Sequence, residues 1–206
     1  MVGSRHQAQS KFEPPQHHRP TALTGEHRPT THRGIHMGNK ASITFKGNTM
    51  SLNGQPPQVG ADAPNAKLIA IDLSEVELSS YKGKTVIVSC VPSLDTGVCS
   101  IQTKKFNEEA ASLGDNTVVV TVSLDLPFAQ KRWCGAEGVE RVVTLSDYRH
   151  HDFVNKWGLL IEPLGLIARA VFVVDADGKV QHAELVAEAT NEPDYASALA
   201  KAKSIA

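Results

Sequence analysis

The sequence has little cysteine, almost no net charge and no long apolar run, and each shortage removes a class of protein. Three cysteines in 206 residues are too few for a disulfide scaffold, and an odd number argues further against one. None of Cys90, Cys99 and Cys134 pair as C-x-x-C, so the motif of a thioredoxin-like disulfide reductase is missing, as is the ligand spacing of a zinc site. A net charge of -1 offers neither a nucleic-acid footprint nor an attraction to anionic lipid. No apolar stretch approaches the length of a membrane span, and residues 1–36 lack the apolar core of a secretory signal. The expectation is a cytoplasmic protein without nucleic-acid or membrane partners.

What is present suits one domain of ordinary size: 41% of residues are hydrophobic and 21% charged, enough for a sizeable core. The charge is unevenly spread. Residues 1–36 carry five Lys/Arg against two Asp/Glu, four prolines and six of the nine histidines, with almost no large apolar side chains to offset the entropy of ordering. They read as a disordered His-rich tail reaching to about residue 40. His6, His17, His18, His27, His32 and His36 are too irregularly spaced for a defined metal site, and Met37-Gly38-Asn39-Lys40 has the look of a native start. The folded domain is expected over residues 41–206.

From Ala41 onward, β-branched runs alternate with helical periods, the mark of an α/β fold. Strands are expected at Lys67–Leu73, Thr85–Val91, Thr117–Ser123, Val142–Leu145, Ala170–Asp175 and Val180–Val186. The last two flank Asp175-Ala176-Asp177-Gly178, which predicts an antiparallel hairpin. Helices are expected over Val98–Leu113, with Val98, Phe106, Ala110 and Leu113 on one face and Gly114 as the stop. A short helix follows Asp125-Leu126-Pro127, with Asp125 near its cap and its end by Gly135. Another spans Ser146–Trp157, closed by Gly158. The last runs from Pro193 to Ile205, with Tyr195, Ala198, Leu199 and Ala202 inward.

Cys99 opens the first turn of a predicted helix. Free backbone N–H groups and the positive end of the helix dipole favour thiolate there, and thiolate is the reactive nucleophile. A lone cysteine is more often an inert small hydrophobe; the neighbouring residues shift that balance. Pro92, Thr96 and Cys99 stand as P-x3-T-x2-C, which closely resembles the active-site signature of peroxiredoxins. The resemblance implies that Pro92 shields the sulfur, that the Thr96 hydroxyl bonds peroxide and thiolate, and that Cys99 attacks the distal oxygen.

Leu126-Pro127-Phe128-Ala129-Gln130-Lys131-Arg132-Trp133-Cys134-Gly135 narrows the likeness to the bacterial thiol peroxidase branch. That branch uses an atypical two-cysteine mechanism, and Cys134 stands where its resolving cysteine does. Val143-Thr144-Leu145-Ser146, Leu166–Asp175 and Asn191-Glu192-Pro193-Asp194-Tyr195 extend the resemblance over about residues 42–206. It implies that Arg169 aims its guanidinium at the sulfur and peroxide, favouring thiolate and stabilising the departing oxygen anion. Two positions depart from the pattern: Cys90, where an aliphatic residue is expected, reads as a buried structural thiol, and Trp133 stands in for a phenylalanine.

The resemblance therefore implies a thioredoxin-like α/β fold with a central mixed sheet and an N-terminal β-hairpin near residues 42–54. It also implies a homodimer, and a thiol-dependent peroxidase acting on hydrogen peroxide and organic hydroperoxides. The cycle would pass from Cys99 thiolate through sulfenic acid to a Cys99–Cys134 disulfide, with thioredoxin as reductant and no bound cofactor. The alternative weighed is a redox-switch binding module without significant turnover.

Overall fold

The structure, a computed structural model, describes residues 40–206; the expected His-rich tail and its histidines lie outside the described residues. The chain enters through a hairpin of β1 (Ser42–Phe45) and β2 (Asn48–Ser51). Phe45 pairs with Asn48, leaving Lys46 and Gly47 as a two-residue turn with φ of 50° and 77°, the mirror-image turn whose twist suits a hairpin. There follow β3 (Lys67–Ala70), β4 (Glu75–Glu77), β5 (Thr85–Cys90) and α1 (Gly97–Ala110). Next come β6 (Thr117–Ser123), α2 (Pro127–Glu137), β7 (Val143–Ser146) and α3 (Asp152–Lys156). The chain ends with β8 (Leu160–Ile161), β9 (Leu166–Ile167), β10 (Ala170–Val174), β11 (Val180–Leu185) and α4 (Tyr195–Ile205).

Seven strands form one sheet in the order β11-β10-β5-β6-β7-β3-β4. β5, β6 and β7 are mutually parallel, whereas β10, β11, β3 and β4 join antiparallel, so the expected mixed sheet is present. The step from β5 to β6 to β7 moves in one direction. Two successive right-handed crossovers of that kind put α1 and α2 on the same face.

The pleat then divides the core in two. Ile87, Val119, Val171 and Val173 meet Phe106 of α1, Trp133 of α2 and Tyr195, Ala198, Leu199 and Ala202 of α4. Val86, Val88, Cys90, Val120 and Phe172 face the other way, against Phe153 and Trp157 and, from the hairpin region, Ile43 and Leu52. Phe153 stacks on Trp157 and Trp157 meets Phe172 edge-on, with centroids 4.8 and 4.9 Å apart. Each large side chain so buried contributes about 1.5–3 kcal/mol. Among the described residues no helix is long and apolar enough to cross a membrane.

Several expected boundaries move, each for a local reason. Ser146 ends β7, paired with Ser123 and Ile69, and the helix expected from it is confined to Asp152–Lys156. The Asp147 carboxylate accepts the N–H groups of Phe153 and Val154 at 3.1 and 2.9 Å, and His151 takes a positive φ of 50°, so residues 147–151 cannot be helical throughout. α2 runs through Gly135 and stops at Gly138, whose φ of 65° caps it in the left-handed conformation. α1 ends at Ala110, four residues before Gly114. Its buried face is Cys99, Gln102, Thr103 and Phe106; Val98, expected inward, is only half-buried. α4 buries all four residues expected of it, and β10 and β11 form the expected antiparallel hairpin.

Candidate active site

Parallel β5, β6 and β7 end on the same edge of the sheet, so the loops leaving them gather there. The loop after β5 runs through the buried Pro92 to Thr96, the extended N-cap of α1 with φ −108° and ψ 148°. Ser100 N–H closes the first helical bond on Thr96 O at 2.9 Å. The amides of Gly97, Val98 and Cys99 therefore have no partner within the helix.

Cys99 lies inside this turn, fully buried. Pairing of Ala170 with Cys90 sets Arg169, one residue earlier, beside the exit of β5. The residue is 2% exposed; Nη2 donates to Cys99 Sγ at 3.3 Å, Nη1 to Gln102 Oε1 at 2.7 Å and Nε to Ala189 O at 3.0 Å. Gln102 is itself held by donation from Nε2 to Ser89 Oγ at 2.8 Å. A buried cation fixed by a fork of acceptors thus stands in hydrogen-bond reach of the sulfur, where it can meet negative charge that develops at the reacting atoms.

Thr96 is exposed, and its hydroxyl donates to Ser93 O at 3.0 Å rather than turning onto Cys99. It stands on the rim of a groove of about 280 Å³. Asp95 lines that groove from the loop, Gly97 from the start of α1, and Arg132, Trp133 and Glu137 from α2. Cys134 adjoins Trp133, is half-buried, and packs against the same core as Cys99. Its Sγ lies 3.7 Å from Thr144 Oγ1; burial pushes its thiol above the usual range, partly countered by that contact.

All three cysteines are free thiols. Cys90 belongs to the core on the opposite side of the sheet from Cys99 and Cys134, where burial drives its thiol far above the usual range. The second cavity, about 110 Å³ between Trp157, Val86, Val88 and Val174, also lies on that far side. Sequence reasoning missed Gln102 and Asp125 as parts of the site. Gln102 had an available signal, a polar residue three positions after Cys99 and hence on its helix face. Asp125, expected near the cap of α2, instead directs its carboxylate at Ser93, Leu94 and Ser123, and Leu126 is the N-cap.

Comparison with known proteins identifies the family. The Redoxin family profile matches residues 58–199. The protein named Thiol peroxidase from Halalkalibacterium halodurans is 56% identical over 163 residues, 79% of this chain and 98% of its own length. Its namesake from Bacillus subtilis is 52% identical over 165 residues, 80% of this chain and 98% of its own. Among solved structures, a peroxiredoxin-like protein from Aquifex aeolicus superposes with a TM-score of 0.76 at 41% identity, over 82% of this chain and all of that one. A thiol peroxidase from Chromobacterium violaceum, at 18% identity and a TM-score of 0.69 over 76% of this chain and 91% of its own, shares the thioredoxin-like fold.

Proposed function

The chain belongs to the thiol peroxidase branch of the redoxin family, and on that premise we propose that it reduces hydrogen peroxide and organic hydroperoxides with Cys99 as nucleophile and Cys134 as its disulfide partner. The observation that carries this reading is the buried Cys99 sulfur, inside the first turn of α1 and 3.3 Å from the Arg169 guanidinium. The Cys99 thiolate attacks the terminal oxygen of ROOH. The O–O bond breaks, the sulfur keeps the terminal OH and becomes a sulfenic acid, and RO⁻ leaves, taking up from solvent the proton the thiol released on ionising to depart as ROH. Arg169 steadies the anion on both sides of that step, Thr96 swings its hydroxyl from Ser93 O to donate to the peroxide, and Pro92 keeps bulk water from the sulfur.

The Cys134 thiol then attacks the sulfenic sulfur, water leaves, and a disulfide closes between the two. An external dithiol, with thioredoxin as the fitting protein, returns both thiols by exchange and is itself oxidised. These steps draw on the chain's own residues and the two co-substrates alone. The working unit is a homodimer in the cytoplasm, which places the enzyme in antioxidant defence.

Replacing Cys99 by Ser is expected to abolish peroxide reduction, because a neutral hydroxyl does not attack the O–O bond. Replacing Cys134 by Ser is expected to leave one oxidation per chain while stopping turnover with thioredoxin. Stopped-flow and coupled assays check both. Near-normal turnover in Cys99→Ser would overturn the assignment, and a redox switch without catalysis would show oxidation of the parent chain but no steady state.

A further inference from the structure

Asp125 sits between the last residue of β6 and the first turn of α2, where a carboxylate would ordinarily face water. It instead collects donors. Oδ1 accepts from Ser93 Oγ at 2.7 Å, and Oδ2 accepts from Leu94 N–H and Ser123 Oγ, each at 2.8 Å. Its backbone carbonyl accepts from Ser146 Oγ. Ser123 Oγ in turn accepts from Nε2 of Gln130 at 3.0 Å, a buried residue of α2 one turn before Cys134. A continuous run of hydrogen bonds thus links the turn preceding Cys99 to the helix carrying Cys134. Arg132–Asp95 and Lys104–Glu137 bridge the same gap at 2.9 and 3.0 Å, but both pairs are substantially exposed and contribute little.

We propose that Asp125 is a positioning residue for the peroxidase reaction: its carboxylate clamps the Ser93–Leu94 turn to the root of α2, holds Cys99 in its attacking geometry, and releases that turn for disulfide closure. The proposal rests on the reading of Cys99 and Cys134 as partners. Ser93 O accepts from both the amide and the hydroxyl of Thr96, so freeing Ser93 and Leu94 also frees the N-cap of α1. A loosened clamp then acts in opposite directions on the two chemical steps. Attack on peroxide needs the turn folded, whereas closure needs it open.

Asp125→Asn exchanges one acceptor oxygen for a donor facing donors, and Ser93→Ala removes one arm of the clamp while sparing the rest. Reduced full-length chains mixed with hydrogen peroxide in a stopped-flow fluorimeter, with Trp133 beside Cys134 as reporter, separate a peroxide-dependent phase from a peroxide-independent one. Asp125→Asn is expected to lower the peroxide-dependent constant by about tenfold or more, the size of effect that sub-ångström misplacement produces, while raising the closure constant. Ser93→Ala is expected to move both constants the same ways by less. Unchanged constants in both variants, or a parallel fall of both constants, would overturn the role. Cys134→Ser run alongside isolates the premise: a closure phase that persists there defeats the pairing and the proposal with it, whereas its loss together with unmoved constants in Asp125→Asn defeats the role of Asp125 alone.

Discussion

Arg169 is the residue on which several independent features converge. Its three acceptors come from two segments, Gln102 and Cys99 on α1 and Ala189 in the stretch before α4, so the cation is held in place before any substrate arrives. Preorganised charge of this kind is worth more than the same charge on a mobile side chain. Arg169→Met is expected to slow peroxide reduction by about a hundredfold, because the anion that develops on the departing oxygen loses its fixed counter-charge. Arg169→Lys, which keeps charge but not the fork, is expected to restore only part of that rate. Stopped-flow rates check both, and an unchanged rate in Arg169→Met would remove the guanidinium from the chemistry. The same replacement strands Gln102 Oε1 and Ala189 O in the interior, at a stability cost of about 1–3 kcal/mol for each buried group left unpaired.

Among the elements, α1 and α2 each carry one cysteine, and a disulfide requires Cα atoms within roughly 7 Å of each other. Cys99 sits in a closed helical turn and Cys134 in the body of a three-turn helix. Oxidation is therefore expected to unwind the turn around Thr96–Cys99 and part of Phe128–Cys134 while the sheet stays fixed. Amide hydrogen exchange on reduced and oxidised protein should show faster exchange confined to those segments; unchanged protection in both would mean the two thiols already lie in bonding geometry.

The hairpin β1–β2 presents a second element-scale case. Glu188 accepts from the Thr190 hydroxyl at 2.7 Å, the Gly47 amide at 3.1 Å and the Thr44 hydroxyl at 2.9 Å, and these bonds depress its carboxyl to about 2. A depressed acid stabilises the fold above its ordinary value near 4.5 and loses that contribution as pH falls toward 2. The tie between hairpin and residues 187–190 is thus expected to loosen between those limits, seen as increased exchange at Thr44 and Ala189, whose amides bond across it. In Glu188→Gln that pH dependence should vanish.

Viewed as a whole molecule, the protein separates chemistry from support by putting them on opposite faces of one sheet. Phe172 is fully buried among Trp157 and its neighbours on the far face. Phe172→Ala is expected to destabilise the fold by about 3–5 kcal/mol, read from urea unfolding, while the peroxide-dependent constant of the folded fraction changes little. A comparable loss of rate would show that the two cores are coupled through the sheet. This division also explains what could be read early and what could not. Strand Thr117–Ser123 and the inward face of α4 were legible because a run of β-branched residues, and apolar residues at helical spacing, are local signals with local causes. P-x3-T-x2-C, Cys134 and Arg169 were legible as a motif. The length of α3, the continuation of α2 through Gly135, and the place of Gln102 beside Phe106 on the inward face of α1 were not, because Asp147, Gly138 and Gln102 act through partners that only the fold supplies. Sequence by itself determined the fold class and the residue types available for thiol chemistry, since periodicity and composition are properties of short stretches. Tertiary structure decided the contacts themselves: that Cys99 and Cys134 share a face with Cys90 behind the sheet, that the Arg169 guanidinium reaches the sulfur as the resemblance implied, and that Asp125 joins the two segments, because strand register and crossover direction set which distant side chains meet.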